Sequence, residues 1–585
     1  MTTEEYIRSP LFEVICCGIK LNDGPTVVVH HEEVEATLVG MGIEQSVLVC
    51  HHTAFDGSIL QHHYGLVPRV YCDTLSMSRP ANSLVRSCSL ASLVEHYGIG
   101  KKGYEVVGAL GKRLKDFQPW ELDAYKAYCA NDVELTYKLF QLLLQELPKS
   151  ELRAIDLHLR CYCDPKIVLD TPLLQQYKEE ITLRKEFLLD TLGVTEKDLR
   201  SDQKLAALLE EQGIDPPTKI NKNGDIKYAF AKTDEEFRDL EEHPNETVGA
   251  LVRARLGVKT SIEESRCDRL LGISLRGKMP IPMSYYGAHT GRPSGWDKIN
   301  PMNLKKKSRI RYAMQAPSGY VICDSDSSQI ECRLNAYFSG QEDLVQAFRE
   351  KRDVYSEFAS DLFHRIITKK NEDERFIGKQ SELGFGYGMG ADKYKKTVET
   401  LSMVMLGRKI EVSHRTAEEA KDLYRRKRTA IKRMWKICEE ALFAIATGVP
   451  MEFGHGVRVT ATAEGILKPN GMYIRYPELR QEDGEWKYSV KKGRLKSDRK
   501  IYGGKVLENI IQSLAFDIIK FQWALIAKRY DVVISVYDAL GALIPIVEQE
   551  EGMEYVQECM RTLPSWAAGL PIDCEASCGV NYGEC

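Results

Sequence analysis

Between Tyr320 and Phe338 an apolar run of strand length, Tyr320-Val321-Ile322-Cys323, passes into Asp324-Ser325-Asp326-Ser327-Ser328. Ile330, Leu334, Tyr337 and Phe338 then recur at helical spacing, which predicts strand, tight turn and buried helix. The stretch constrains the fold because both flanking elements must be buried while the turn between them carries charge. An acid held between two buried elements stays still and reachable, as a metal-bound reacting group requires. The competing reading is a helix cap, the commonest task of Asp and Ser before a helix.

A second isolated acid stands in Val532-Val533-Ile534-Ser535-Val536-Tyr537-Asp538-Ala539-Leu540, where apolar runs on both sides predict a hairpin with Asp538 at its tip. Taken singly, an acid at a turn is a turn residue. Between these two places lies Arg375 to Gly390, in which Arg375, Lys379, Leu383 and Tyr387 recur every fourth residue and share one helix face. Cations in a first turn oppose the helix dipole, and glycine within a helix costs roughly 1 kcal/mol against alanine. Gly378, Gly384, Gly386, Gly388 and Gly390 all fall here. A mobile element that uses Arg and Lys for a polyphosphate and glycine for hinging accounts for both costs.

The remaining chain is long enough, at 585 residues and 43% hydrophobic, for roughly two to four domains with ample core. A net charge of −4 excludes a polycation, so any nucleic-acid surface is local. The runs Lys305-Lys306-Lys307-Ser308-Arg309-Ile310-Arg311, Arg425 to Arg428 and Lys491 to Lys500 are candidates, although each alone reads as a solvated face. The N-terminus has no basic and apolar targeting pattern, and no apolar run spans a bilayer, so no membrane partner and a cytoplasmic location are expected. Sixteen cysteines lie scattered among apolar neighbours, as reduced, buried thiols do. Cys574, Cys578 and Cys585 lack a fourth ligand at finger-like spacing and read as coincidence.

Residues 11 to 144 alternate apolar runs and amphipathic segments: strands at Phe12 to Ile19 and Ser46 to Cys50, helices at Ser89 to Tyr97 and Pro119 to Leu144, hence an α/β unit. Asp56 follows the second strand, and Tyr128 and Asp132 share a helix face. From about 150 to 279 the chain is helical and charged, with Leu173 to Leu192 and Glu236 to Leu256 as long helices punctuated at Pro216-Pro217 and Asn221 to Gly224. Arg292, Asn300 and Asn303 offer donors to phosphate or a base edge. Lys468-Pro469-Asn470-Gly471 predicts a hairpin turn, and the helix Gly504 to Ala527 carries Glu508, Asn509 and Gln512. Asn509 and Gln512 read either as base contacts or as satisfied half-buried amides.

Asp326-Ser327-Ser328-Gln329-Ile330-Glu331, Arg375 to Gly388 and Val536-Tyr537-Asp538 resemble, in order and spacing, the polymerase motifs of family A DNA polymerases, continuously from about Tyr285 to Gly583 and with a phage or prophage flavour. The resemblance implies an α/β multidomain fold: a right-hand polymerase of palm, fingers and thumb behind a ribonuclease H-like 3′-5′ exonuclease domain. It divides the chain into an exonuclease-like part (1–150), thumb (151–284), palm with the first motif (285–340), fingers (341–450), and hairpin insertion plus palm with the last motif (451–585). Asp326 and Asp538 would hold two Mg²⁺, Mn²⁺ being the substitute, for primer extension by dNTPs. Two carboxylates at ~4 Å repel by ~1 kcal/mol in water and more in protein, a cost that divalent cations reverse. Asp324 is a second acid on the same strand side, but the Ser-Gln-Ile-Glu pattern selects Asp326.

The same resemblance places Arg375 and Lys379 at the triphosphate, Tyr387 where template base and nucleotide stack, and Glu331 beneath the sugar, with Gln329, Leu383 and Tyr355 completing the nucleotide site. Arg292, Asn300, Asn303, Asn509, Gln512 and Tyr537 would contact primer-template DNA. Leu383 replaces an aromatic residue of cellular relatives, Tyr355 a phosphate-binding His, and Tyr537 and Ala539 the His and Glu that flank the last acid. Asp56, Tyr128 and Asp132 resemble the second and third exonuclease motifs, while the first, an Asp-x-Glu on the opening strand, is missing. Either a start upstream of Met1 or a real loss explains this, and the expectation is a nuclease domain retained in structure but weak or dead in activity. Two other readings compete: a single-subunit RNA polymerase, against which Glu331 argues, and an inactive DNA-binding replication scaffold, against which Asp326, Asp538, Arg375 and Lys379 argue.

Overall fold

The computed structural model describes the chain except residues 105, 110, 221–224, 232–233, 260–261, 305–307 and 493–494. The punctuation at Asn221 to Gly224 and the lysines 305–307 lie outside the described residues.

Toward the N-terminus, β1 (Cys16–Lys20) pairs antiparallel with β2 (Thr26–His30), and β3 (Val47–Cys50) pairs parallel with β4 (Val70–Asp73) through the crossover helix α1 (Thr53–Tyr64). This βαβ unit is the expected α/β arrangement. The first strand starts at Cys16 rather than Phe12, because Pro10 and a Phe12 N–H to Ser9 carbonyl bond of 2.9 Å turn the chain there. Helix α2 (Pro119–Glu146) starts with proline at its first position and lies across β1, β2 and β3.

Helices α3 (Lys149–Cys163) and α4 (Thr171–Leu192) open the helical region, Asp170 capping α4 by accepting from Leu173 N–H at 2.9 Å. A separate apolar core of Leu199, Leu205, Leu209, Phe230, Phe237 and Val252 holds the outer part of this region. The helix expected over Glu236 to Leu256 is broken: a helix over Glu235–Asp239 tightens at Leu240–Glu242 and restarts as Glu246–Lys259. Pro244 explains the break, since it lacks an N–H and pushes His243 out of helical geometry.

The central sheet has the order β6-β7-β5-β8, with β5 (Tyr320–Ser327) flanked by β7 (Ala539–Pro545) and β8 (Cys574–Gly579), and β6 (Val532–Val536) at the edge. All neighbours are antiparallel, and α5 (Ile330–Ser339) leaves β5 through a turn in which Gln329 has φ 58°. No side chain caps α5, so the acids and serines before it are not there as a cap. The long helix α6 (Gly503–Ile526) is buried around most of its circumference.

Two helices, Val354–Phe363 and Glu372–Phe385, pack together above this sheet. The second starts with Glu372, Asp373 and Glu374, so acids meet the dipole and Arg375 stands beyond them, contrary to expectation. Gly378 serves packing rather than hinging: a Cβ there would lie 2.2 Å from the Tyr355 carbonyl oxygen of the facing helix. Gly386, Gly388 and Gly390 fall past the helix end. Arg428 is a buried ion-pair partner rather than part of a solvated face, with Nη2 2.6 Å from Glu382 Oε1 and Nη1 2.9 Å from Asp343 Oδ2. The physical reason is Glu382, whose side chain is fully buried within the helix Glu372–Phe385 and needs a counterion.

Residues 451–501 form a four-stranded and a three-stranded antiparallel sheet, the predicted turn at Lys468 joining Gly465–Leu467 to Tyr473–Ile474. A buried polar network fastens the N-terminal part to the rest. Lys520 on α6 reaches Glu151 on α3 at 2.6 Å and Asp517 at 2.9 Å; Lys468 reaches Asp517 at 2.6 Å, and Tyr285 Oη donates to Glu151 at 2.6 Å. Burial alone would raise the Glu151 carboxyl, but Lys520, Lys468 and Tyr285 pull it down to about 2. Among the described residues no helix is long and apolar enough to cross a membrane.

Candidate active site

A cavity of about 890 Å³ opens between the sheet and the helix Glu372–Phe385. Every residue expected to hold metal or nucleotide lines it: Asp326, Asp538, Gln329, Glu331, Tyr355, Arg375, Lys379, Leu383 and Tyr387. Asp326 sits at the end of β5, and Asp538 at the two-residue turn between β6 and β7, where Tyr537 takes φ 54°. The Ser327 N–H donates to the Asp538 carbonyl at 3.0 Å, so a backbone bond fixes one acid-bearing segment against the other. Burial first, and then the charges of Asp326 and Glu331, push the Asp538 carboxyl up to about 7. Asp324 does not line the cavity; Arg311, stacked on Tyr582, faces it at 3.6 Å.

Across the cavity the helix Glu372–Phe385 presents Arg375 and Lys379. Arg375 Nε lies 2.7 Å from Asp353 Oδ2, and Asp353 also accepts from the Ser356 hydroxyl at 2.8 Å at the start of the neighbouring helix. Burial would raise Asp353, but the bonds from Arg375 and Ser356 outweigh it and leave its carboxyl below the ordinary range. Lys369, Lys393 and Lys505 add positive charge to the same lining. Glu331, in the first turn of α5, forms an ion pair with Arg292, and the Tyr387 hydroxyl donates to its other oxygen at 3.5 Å.

The residues expected at DNA lie elsewhere. Arg292 is held beside the site by its ion pair with Glu331, and its charge also acts on Asp538. Asn300 caps its own turn by accepting from Met302 N–H at 3.1 Å, and Asn303 is exposed. Asn509 is buried and donates to Tyr476 Oη at 3.1 Å; Gln512 donates to Glu508 at 3.2 Å. Tyr537 is exposed beside the cavity rather than in its lining. Of the basic runs, Arg311 is buried against Asp324, and Lys496 and Lys500 pair with Glu478 and Glu485.

The exonuclease-like residues make a different arrangement. No acid stands on β1, whose sequence is Cys16-Cys17-Gly18-Ile19-Lys20. Asp56 lies in the first turn of α1, where burial pushes its carboxyl up to about 7. On α2, Asp132 forms an ion pair with Lys102, whose ammonium also donates to Tyr128 Oη at 2.7 Å and lies 4.8 Å from that ring. One lysine cation thus lies against both the acid and the phenol. The sequence reading missed Lys102, which belongs to no periodic pattern and lies thirty positions before Asp132. It also missed Asp353, Lys505 and Glu575, isolated charges that line the main cavity.

Comparison with known proteins agrees with this architecture. The family model for DNA polymerase family A matches residues 171–584, and one for a 3′-5′ exonuclease matches residues 8–148. The DNA polymerase of Bacillus phage SP02 is 22% identical across 97% of this chain and 94% of its own length. DNA polymerase I of Pseudomonas aeruginosa is 24% identical across 88% of this chain, which spans about half (53%) of that relative. Among solved structures, the POL domain of Pol1 from M. smegmatis, in complex with DNA primer-template and dNTP, has the same fold: its TM-score is 0.68 at 18% identity, covering 97% of this chain and 92% of that one. The chain belongs to DNA polymerase family A.

Proposed function

We propose that this family A polymerase extends a primer 3′-hydroxyl with dNTPs on a DNA template, in phage or prophage replication, using the cavity between Asp326, Asp538 and the Arg375–Lys379 helix face. One observation carries the reading: the acids Asp326 and Asp538 and the cations Arg375 and Lys379 line one space of nucleotide size. The donor set fits magnesium, since both acids offer hard oxygen ligands and Mg²⁺ is ordinarily held by one or two carboxylates with substrate phosphates completing its shell. The upward push on Asp538 is what a carboxylate awaiting a cation should show. When bound, divalent ions held by Asp326 and Asp538 supply charge neutralisation for the triphosphate and acidify the attacking hydroxyl.

The chain's own residues do the positioning. Arg375 exchanges its Asp353 partner for triphosphate oxygens, a charge-assisted fork for a charge-assisted fork, and Lys379 adds a point charge. Glu331, braced by Arg292 and Tyr387, walls the sugar and leaves no room for a 2′-hydroxyl. In this reading Arg292, paired with Glu331, and Tyr537, at the hairpin tip, would contact the primer. Lys102, paired with Asp132 and Tyr128, leaves the exonuclease-like region weak or inactive. Primer extension with Mg²⁺ tests the reading: dNTPs should be incorporated in preference to NTPs, and an enzyme that prefers NTPs, or extends nothing, would overturn it.

A further inference from the structure

Asp326 has two cross-strand neighbours, because β5 is hydrogen-bonded on both sides. On β7 the residue directly opposite is Ala539, a methyl group with nothing to offer a cation. On β8 the residue directly opposite is Glu575. Residues opposite one another in an antiparallel pair project from the same face with Cβ atoms about 4.5–5.5 Å apart, so Glu575 shares the face of Asp326. It lines the same cavity as Asp326 and Asp538. Glu575 is exposed, and among the described residues its carboxylate makes no ion pair or hydrogen bond. Asp573, a lining acid close by in sequence, differs: it is engaged by Arg561 at 3.0 Å and by Lys351 at 3.8 Å.

We propose that Glu575 is the third carboxylate of the nucleotidyl-transfer site, acting on the divalent ion held by Asp326 and Asp538 from the strand that flanks Asp326 on the side away from Ala539. The inference rests on the metal-binding reading of Asp326 and Asp538. Among the described residues no three His, Cys, Asp or Glu side chains converge on one point. Glu575 therefore acts through an ion-bound water or after a change of side-chain rotamer, which an exposed glutamate makes freely. Two features separate it from a surface acid: a strand register that fixes its Cα beside that of Asp326, and a carboxylate committed to no cation of the protein. Its place also explains how the site tolerates alanine at 539, since negative charge removed on one side of Asp326 is present on the other.

The test measures Mn²⁺ binding, by the electron paramagnetic resonance signal of the free ion, to the full chain with primer-template DNA ended by a dideoxynucleotide. The proteins are wild type, Glu575→Gln, Asp538→Asn, Ala539→Glu and the Ala539→Glu/Glu575→Gln double variant, each with its melting temperature recorded. Glu575→Gln should weaken Mn²⁺ binding roughly tenfold to a hundredfold without loss of melting temperature, and should raise the Mg²⁺ needed for half-maximal primer extension in parallel. Adding Glu at 539 should restore binding in the double variant. Wild-type affinity in Glu575→Gln, with binding lost in Asp538→Asn, would overturn the assignment of Glu575 alone. Wild-type affinity in Asp538→Asn would overturn the metal site itself.

Discussion

The Tyr387 hydroxyl lies 3.5 Å from Glu331 Oε2, joining the end of one cavity-lining helix to the first turn of the helix that follows Asp326. With Arg292 on its other oxygen, Glu331 cannot swing aside without breaking an ion pair. Glu331→Ala should therefore raise ribonucleotide incorporation at least ~10-fold relative to dNTP. Tyr387→Phe, which removes only the hydroxyl, should have a smaller effect. Competing dCTP against CTP opposite a template G measures both, and unchanged selectivity in Glu331→Ala would remove Glu331 as the sugar wall.

The network around Lys520 predicts a stability effect far from the chemistry. Lys520→Met leaves Glu151 and Asp517 buried without their shared cation, which should cost about 3–5 kcal/mol. Because the folded Glu151 carboxyl lies below its ordinary range, its contribution is present above about pH 4.5 and fades as pH falls toward 2. Urea denaturation at pH 7 and pH 3 should show the Lys520→Met deficit shrinking at the lower pH; a deficit independent of pH would contradict the ion-pair account.

Asp56 predicts the reverse pH dependence. Its folded carboxyl titrates near 7 instead of near 4, so the folded state binds an extra proton between those values and loses stability as pH rises through them. Asp56→Asn should match wild type near pH 4 and exceed it by about 1–3 kcal/mol at pH 8. Paired melts across that range would show the two curves diverging upward in pH; parallel curves would place Asp56 in water.

The Lys102 contact predicts that a mismatched primer 3′ end survives incubation with the enzyme and Mg²⁺, and that Lys102→Ala does not create rapid removal. Removing the lysine takes its ammonium away from Asp132 and Tyr128 but adds no acid to β1. Rapid removal of the mismatch by wild type would show that carboxylates come from elsewhere.

Much of this arrangement is legible in the sequence. The apolar runs around Asp326 and Asp538 specified their strands, and the four-residue recurrence of Arg375, Lys379, Leu383 and Tyr387 specified the face that lines the cavity. Three things were not legible, each for a physical reason. The Gly378 requirement depends on a backbone approach from another helix, which local sequence cannot encode. Arg428 and Lys102 look like solvated charges until their buried or half-buried partners, Glu382 and Asp132, are brought to them by the fold. Strand register sets Glu575 opposite Asp326, and register is a property of pairing rather than of either strand.

The central claim is that Asp326 and Asp538 together perform nucleotidyl transfer, and single-turnover incorporation of one dNTP by Asp538→Asn tests it most directly. The account predicts a rate lower by roughly 10³-fold or more, with dNTP affinity held by Arg375 and Lys379 to within about threefold of wild type. A near-normal rate in Asp538→Asn would contradict it.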